Sequence, residues 1–105
     1  MHVFERQEDQ WLLIGRDYAI GPTDIDADAG IVRFIANGRR IGGPEDGEAF
    51  TDSHEVARGQ TVELGPNILL NVLEVRPGSV RVSIHAPKHM TVLTREDAER
   101  LWGRP

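Results

Sequence analysis

Gly59-Gln60-Thr61-Val62-Glu63-Leu64-Gly65-Pro66-Asn67-Ile68-Leu69-Leu70-Asn71-Val72-Leu73-Glu74-Val75, followed by Gly78-Ser79-Val80-Arg81-Val82-Ser83-Ile84-His85-Ala86-Pro87-Lys88, decides the fold. Ile68, Leu70 and Val72 alternate with Leu69, Asn71 and Leu73, and Val80, Val82 and Ile84 alternate with Arg81 and Ser83. A period of two residues belongs to half-buried strands. Together with the run ending at Gly65, this predicts three consecutive strands, turned by Pro66-Asn67 and Arg76-Pro77-Gly78-Ser79 and closed by Ala86-Pro87. Met90 to Leu93 reads as a short last strand. Thr94-Arg95-Glu96-Asp97 then reads as a capping box, opening a helix from about Arg95 to Trp102. Ala98, Leu101 and Trp102 share one side of that helix and are expected to face the sheets, with Gly103 and Pro105 as its stop.

The chain has 105 residues, enough for one shared core but not for two independent ones. With 39% apolar residues and no run of roughly 20 of them, a soluble domain is expected. His2 and Glu5 behind Met1 supply neither a basic start nor an apolar secretory segment. The absence of cysteine removes disulfide and thiolate chemistry and is compatible with a cytoplasmic setting. A net charge of −5 argues against a broad nucleic-acid surface held by counterion release. The charge is uneven: residues 1–52 carry eleven acidic and five basic side chains, residues 53–105 six and seven. A phosphate-facing surface would lie mainly on the second half.

Working outward, the first half resembles a weakened copy of the second. Gln10-Trp11-Leu12-Leu13-Ile14-Gly15 precedes Gln60-Thr61-Val62-Glu63-Leu64-Gly65 by fifty residues, and Gly30-Ile31-Val32-Arg33-Phe34 precedes Gly78-Ser79-Val80-Arg81-Val82 by forty-eight. The difference of two falls in the hairpin, where a change of length costs little. Arg40 then corresponds to Lys88. This predicts an internal repeat: a degenerate first copy over 1–40, an irregular linker over 41–58 and a second copy over 59–105, all in one compact domain. Thr51 to Ala57 is too polar, on this reading, to repeat the strand at Met1–Gln7.

From Gly59 to about Leu101 the Gly-x-Thr-x-x-x-Gly turn, the Val80-Arg81-Val82 strand and the Ala86-Pro87-Lys88 corner resemble the carbon storage regulator (CsrA/RsmA) family of bacterial RNA-binding translational regulators. The resemblance implies an all-β sandwich with one C-terminal helix. Family members are intertwined homodimers in which the first strand of one subunit lies beside the last strand of the other, each such pair forming one RNA site. Two fused copies would make a single-chain, monomeric pseudo-dimer with one surviving site; an ordinary homodimer with a long insertion is the alternative. Carried across residue by residue, RNA contacts fall on Phe4, Arg6 and Gln7 of the first strand and on Ala86, Pro87 and Lys88 of the corner. The family's further arginine, at the junction of last strand and helix, falls on Thr94, with Arg95 one residue later. That departure puts the strongest contact in doubt.

The implied partner is RNA, an mRNA or small RNA presenting a single-stranded GGA-containing loop. Such loops are read by backbone groups on base edges, by aromatic platforms and by Arg or Lys on phosphates. Each candidate also has an ordinary role: Phe4 as a core residue, Arg6 as a solvated edge charge that discourages sheet-to-sheet pairing. The rival function is a protein-interaction module that kept the scaffold, lost RNA affinity and binds a regulatory protein; the acidic first half favours it. No cofactor, metal or enzymatic activity is expected. Asp24-Ile25-Asp26-Ala27-Asp28-Ala29-Gly30 has the alternating carboxylates of a calcium loop, but Ala29 stands where that loop needs glycine and Ile35 where it needs glutamate.

Overall fold

The alternation is realised as two antiparallel sheets packed on one core, seen in a computed structural model that describes residues 2–40, 44–65 and 67–102. Among these residues there are nine strands and one helix: β1 (His2–Gln7), β2 (Leu12–Ile14), β3 (Tyr18–Asp26), β4 (Ile31–Arg39), β5 (Ala49–Ala57), β6 (Thr61–Gly65), β7 (Ile68–Arg76), β8 (Ser79–His85), β9 (Val92–Thr94) and α1 (Arg95–Trp102). The fold is therefore all-β with a single C-terminal helix. One sheet has the order β1-β8-β7-β6, the other β5-β4-β3-β2-β9. The inward positions of the alternating runs, Ile14, Ile20, Val32, Ile68, Leu70, Val72, Val80, Val82 and Ile84, are almost wholly removed from water. Burial of this kind stabilises by roughly 1.5–3 kcal/mol for each aliphatic side chain, which is what holds the sheets face to face. No helix among the described residues is long and apolar enough to cross a membrane.

Backbone contacts recur at the spacing seen in the sequence. The Gln7 N–H donates to Gln10 Oε1 at 2.9 Å, and the Ala57 N–H to Gln60 Oε1 at 3.0 Å. The Asp9 N–H reaches the Pro22 carbonyl at 2.8 Å; the Gly59 N–H reaches the Val72 carbonyl at 2.7 Å. Asp9 and Gly59 both adopt positive φ, 63° and 85°. The β3–β4 register slips between Pro22 and Asp24, and the β7–β8 register between Val72 and Glu74. Bulges of this kind bend and twist a strand at a defined place, so both sheets are shaped by the same device.

Three expectations need correction. The linker over 41–58 is strand from Ala49 to Ala57, paired along its length with β4 from Ile31↔Ala57 to Arg39↔Ala49. Its polarity misled because an edge strand needs only the backbone ladder and a few inward side chains. Phe50 and Val56 are buried, while Thr51, Ser53 and Glu55 face water. Residues 44–47 are turn, 44–48 are exposed, and 41–43 lie outside the described residues. Secondly, β1 pairs with β8 and β9 pairs with β2, so the first and last strands belong to different sheets. Thirdly, α1 buries Ala98, at 2% exposure, but leaves Leu101 64% exposed. The Trp102 side chain and the stop at Gly103 and Pro105 lie outside the described residues.

Candidate nucleic-acid interface

β1 and β9 are edge strands of different sheets, yet they lie on one side of the molecule. β8, the neighbour of β1, ends at His85, and the chain reverses through Ala86–Thr91 into β9. The Pro87 carbonyl accepts the Met90 N–H at 2.9 Å and tightens that corner. Because β1 runs antiparallel to β8, with His2 opposite Ile84 and Arg6 opposite Val80, the corner lies near the start of β1. Arg6 lies at the other end. The separation along the strand is roughly 13 Å at ~3.3 Å per residue.

At that other end Arg6 meets the start of α1. Its Nη1 donates to Glu96 Oε2 at 3.1 Å and to the Trp11 carbonyl at 3.5 Å, and its Nε to the Glu5 carbonyl at 2.9 Å. The Trp11 carbonyl also accepts the Arg95 N–H at 3.1 Å. One backbone oxygen thus ties together β1, the approach to β2 and the first residue of the helix. The Trp11 ring is seated over Gly21, where an added Cβ would come within 2.9 Å of Cδ2. Glycine is required there by the aromatic ring rather than by backbone conformation.

Thr94 ends β9 and caps α1: its hydroxyl oxygen accepts the Asp97 N–H at 3.1 Å. The Asp97 carboxylate does not reach back; it pairs with Arg100 at 2.7 Å. Arg95 is 59% exposed and pairs loosely with Glu99 at 3.8 Å. Burial pulls the Glu96 carboxyl upward, but its own backbone N–H, Arg6 and the Thr94 hydroxyl outweigh this and hold it below the ordinary carboxylate range.

The remaining sequence-derived residues divide between these ends. Phe4 is half-buried, packed against the core and stacked on His2 with ring centroids 6.3 Å apart. Gln7 is exposed and turns the chain with Gln10. Ala86 and Pro87 are half-buried and Lys88 is exposed. The structure gathers Arg6, Thr94 and Arg95 into one cluster and holds Ala86–Lys88 apart at the opposite end of β1. Sequence reasoning missed Trp11 and Glu96. Glu96 had a signal, an acid in the first turn of a capped helix; the Trp11 carbonyl had none. The acidic run at Asp24–Gly30 ends β3 and turns toward β4, and Asp26 Oδ1 accepts the Ala29 N–H at 3.0 Å.

Comparison with known proteins bears on the second half of the chain. A model of the global regulator protein family CsrA matches residues 57–101. Residues 57–101 are similar to that family. The translational regulator CsrA of Clostridium novyi is 38% identical over 39 residues, covering 37% of this chain and 54% of that protein. The translational regulator CsrA of Thermotoga maritima is 37% identical over 43 residues, covering 41% of this chain and 52% of that protein. The chain therefore spans about half the length of the curated relatives it matches. No solved structure matches it. The matched segment holds β6 to β9 and α1 as far as Leu101. Arg6, Trp11 and the rest of β1–β4 lie outside it.

Proposed function

We propose that the protein is an RNA-binding post-transcriptional regulator of the CsrA type rather than an enzyme, taking single-stranded GGA-containing loops along β1, the Ala86–Lys88 corner and the start of α1. The observation that carries this reading is the junction of Arg6 with Glu96, ninety residues apart in sequence, which brings the first strand to a CsrA segment at its strand–helix boundary. There Arg95 presents an exposed guanidinium one residue past Thr94. Phosphates would meet Arg6, Arg95 and Lys88, and base edges the open backbone of the corner.

The chain is read as two CsrA-like copies fused into a monomeric pseudo-dimer, supported by the hydrogen bonds and bulges that recur fifty residues apart. Only one edge then keeps a complete site. At the matching edge His54, Val56 and Ala57 stand in place of Phe4, Arg6 and Gln7, and the sheet ends at β6. A second reading, a protein-interaction module on this scaffold, is favoured by the net charge of −5 and by the engagement of Arg6 with an acid.

Fluorescence polarisation with a GGA-loop hairpin at two salt concentrations separates the readings. Arg6→Ala and Arg95→Ala should each weaken binding by about 1–3 kcal/mol, the scale of a lost charge-assisted contact, and lower the salt dependence. A wild-type affinity no tighter than about 10⁻⁴ M for every loop at low salt is non-specific attraction. That result would replace the RNA reading with the protein-interaction one.

A further inference from the structure

Resting on the RNA reading, we infer that Glu96 is a built-in competitor of the RNA backbone: its carboxylate occupies the place on Arg6 that a phosphate takes when RNA binds. The Arg6 side chain is only 13% exposed, whereas that of Glu96 is 63% exposed. The carboxylate is the water-facing partner of a largely covered guanidinium. A phosphate binding Nη1 has to displace it. Carboxylate and phosphate present equivalent oxygen acceptors to a guanidinium, so the two anions compete for the same donors.

The rest of the Arg6 environment is fixed whichever anion is present. Nε is held by the Glu5 carbonyl and Nη1 by the Trp11 carbonyl, so the guanidinium stays in place when Glu96 leaves. Glu96 also has another home, since the Thr94 hydroxyl and its own backbone N–H already act on its carboxyl at the helix start. An exposed ion pair is weak by nature, which makes the exchange easy. A positioning role for Glu96, holding Arg6 ready for RNA, would have the opposite consequence on its removal.

The test measures the affinity of the GGA-loop hairpin for the full chain at low salt. Glu96→Gln should bind about fivefold more tightly, the scale of releasing Arg6 from one partly exposed ion pair. Glu63→Gln makes the same change in net charge on β6, at the far edge of the sheet, and should stay within about twofold. The double variant Arg6→Ala with Glu96→Gln should bind no more tightly than Arg6→Ala alone. Tighter binding by Glu96→Gln than by a wild type that itself binds in a loop-dependent way supports the exchange. If the wild type binds in a loop-dependent way and Glu96→Gln binds equally or more weakly, the inference is overturned while the RNA reading stands. If neither protein exceeds non-specific affinity, both fall.

Discussion

The edge strands β1 and β5 share a backbone and differ in chemistry. Each is the outermost strand of its sheet, pairs antiparallel with the second strand of a long hairpin, and leaves through a Gln-closed turn with a positive-φ residue. Yet Arg6 in β1 corresponds to Val56 in β5. Arg6 reaches out to Glu96, whereas Val56 is 2% exposed and belongs to the core. Beside β1 the chain supplies a strand–helix junction; beside β5 it supplies a cation–π contact, Arg40 lying 4.7 Å from the Phe50 ring centroid, with Phe50 in turn packed on Tyr18. One edge brings its cation to a helix carboxylate; the other buries a valine at the equivalent place, while Glu55 and Asp52 pair with Arg33 and Arg40 of the neighbouring strand and its end. Backbone hydrogen bonds determine where an edge lies, and a few side chains determine what it can do.

The largest effect that would break this comparison is at Gly38, which corresponds by order to Ala86. Gly38 has φ of 145°, and a Cβ there would overlap the Asp17 carbonyl, the same oxygen that accepts the Arg39 N–H at 2.8 Å. Gly38→Ala should destabilise by about 3 kcal/mol or more in urea unfolding, because positive φ and backbone overlap act together. A cost below ~1 kcal/mol would mean that the two halves tolerate a side chain equally at this position.

Next in size is the pair Val56 and Arg6. Val56→Ala removes two buried methyl groups and leaves a cavity, so it should cost about 2 kcal/mol of stability while RNA affinity is unchanged. Arg6→Ala should cost less stability and carry the RNA defect instead. Loss of RNA binding in Val56→Ala at a temperature where it remains folded would show that the β5 edge also carries a site.

The strands of the second half were legible because Ile68 to Ile84 alternate cleanly and every inward position is aliphatic. β5 was not legible. Its inward side chains include Asp52 and His54, and its stability comes from pairing with β4, a long-range ladder without a local signature. The position of α1 was readable from Thr94 and Asp97, but not its contacts. Leu101 shares a side with Ala98 at the helical period, yet β9 is three residues long and Leu101 stays exposed beyond it. Of the site, Arg6 and Arg95 were named through the family resemblance. The atom joining them, the Trp11 carbonyl, is a backbone group that residue types do not reveal.

The smallest expected effect is the acid dependence carried by Glu96 beside the β1 edge. The Glu96 carboxyl titrates below its ordinary range in the folded protein. A depressed carboxyl contributes stability that is fully present above its unfolded pKa and is lost as pH falls through the folded one. Wild type should therefore exceed Glu96→Gln in stability by a few tenths of a kcal/mol at neutral pH, a value kept small by solvent screening of an exposed carboxylate. The gap should close as the pH falls below the ordinary carboxylate range and the wild-type group protonates. Urea midpoints for the two proteins across that window are the measurement. A gap that persists unchanged as the carboxyl protonates would show that Glu96 acts through its shape or a neutral hydrogen bond, and the contrast between the two edges would then rest on Arg6 alone.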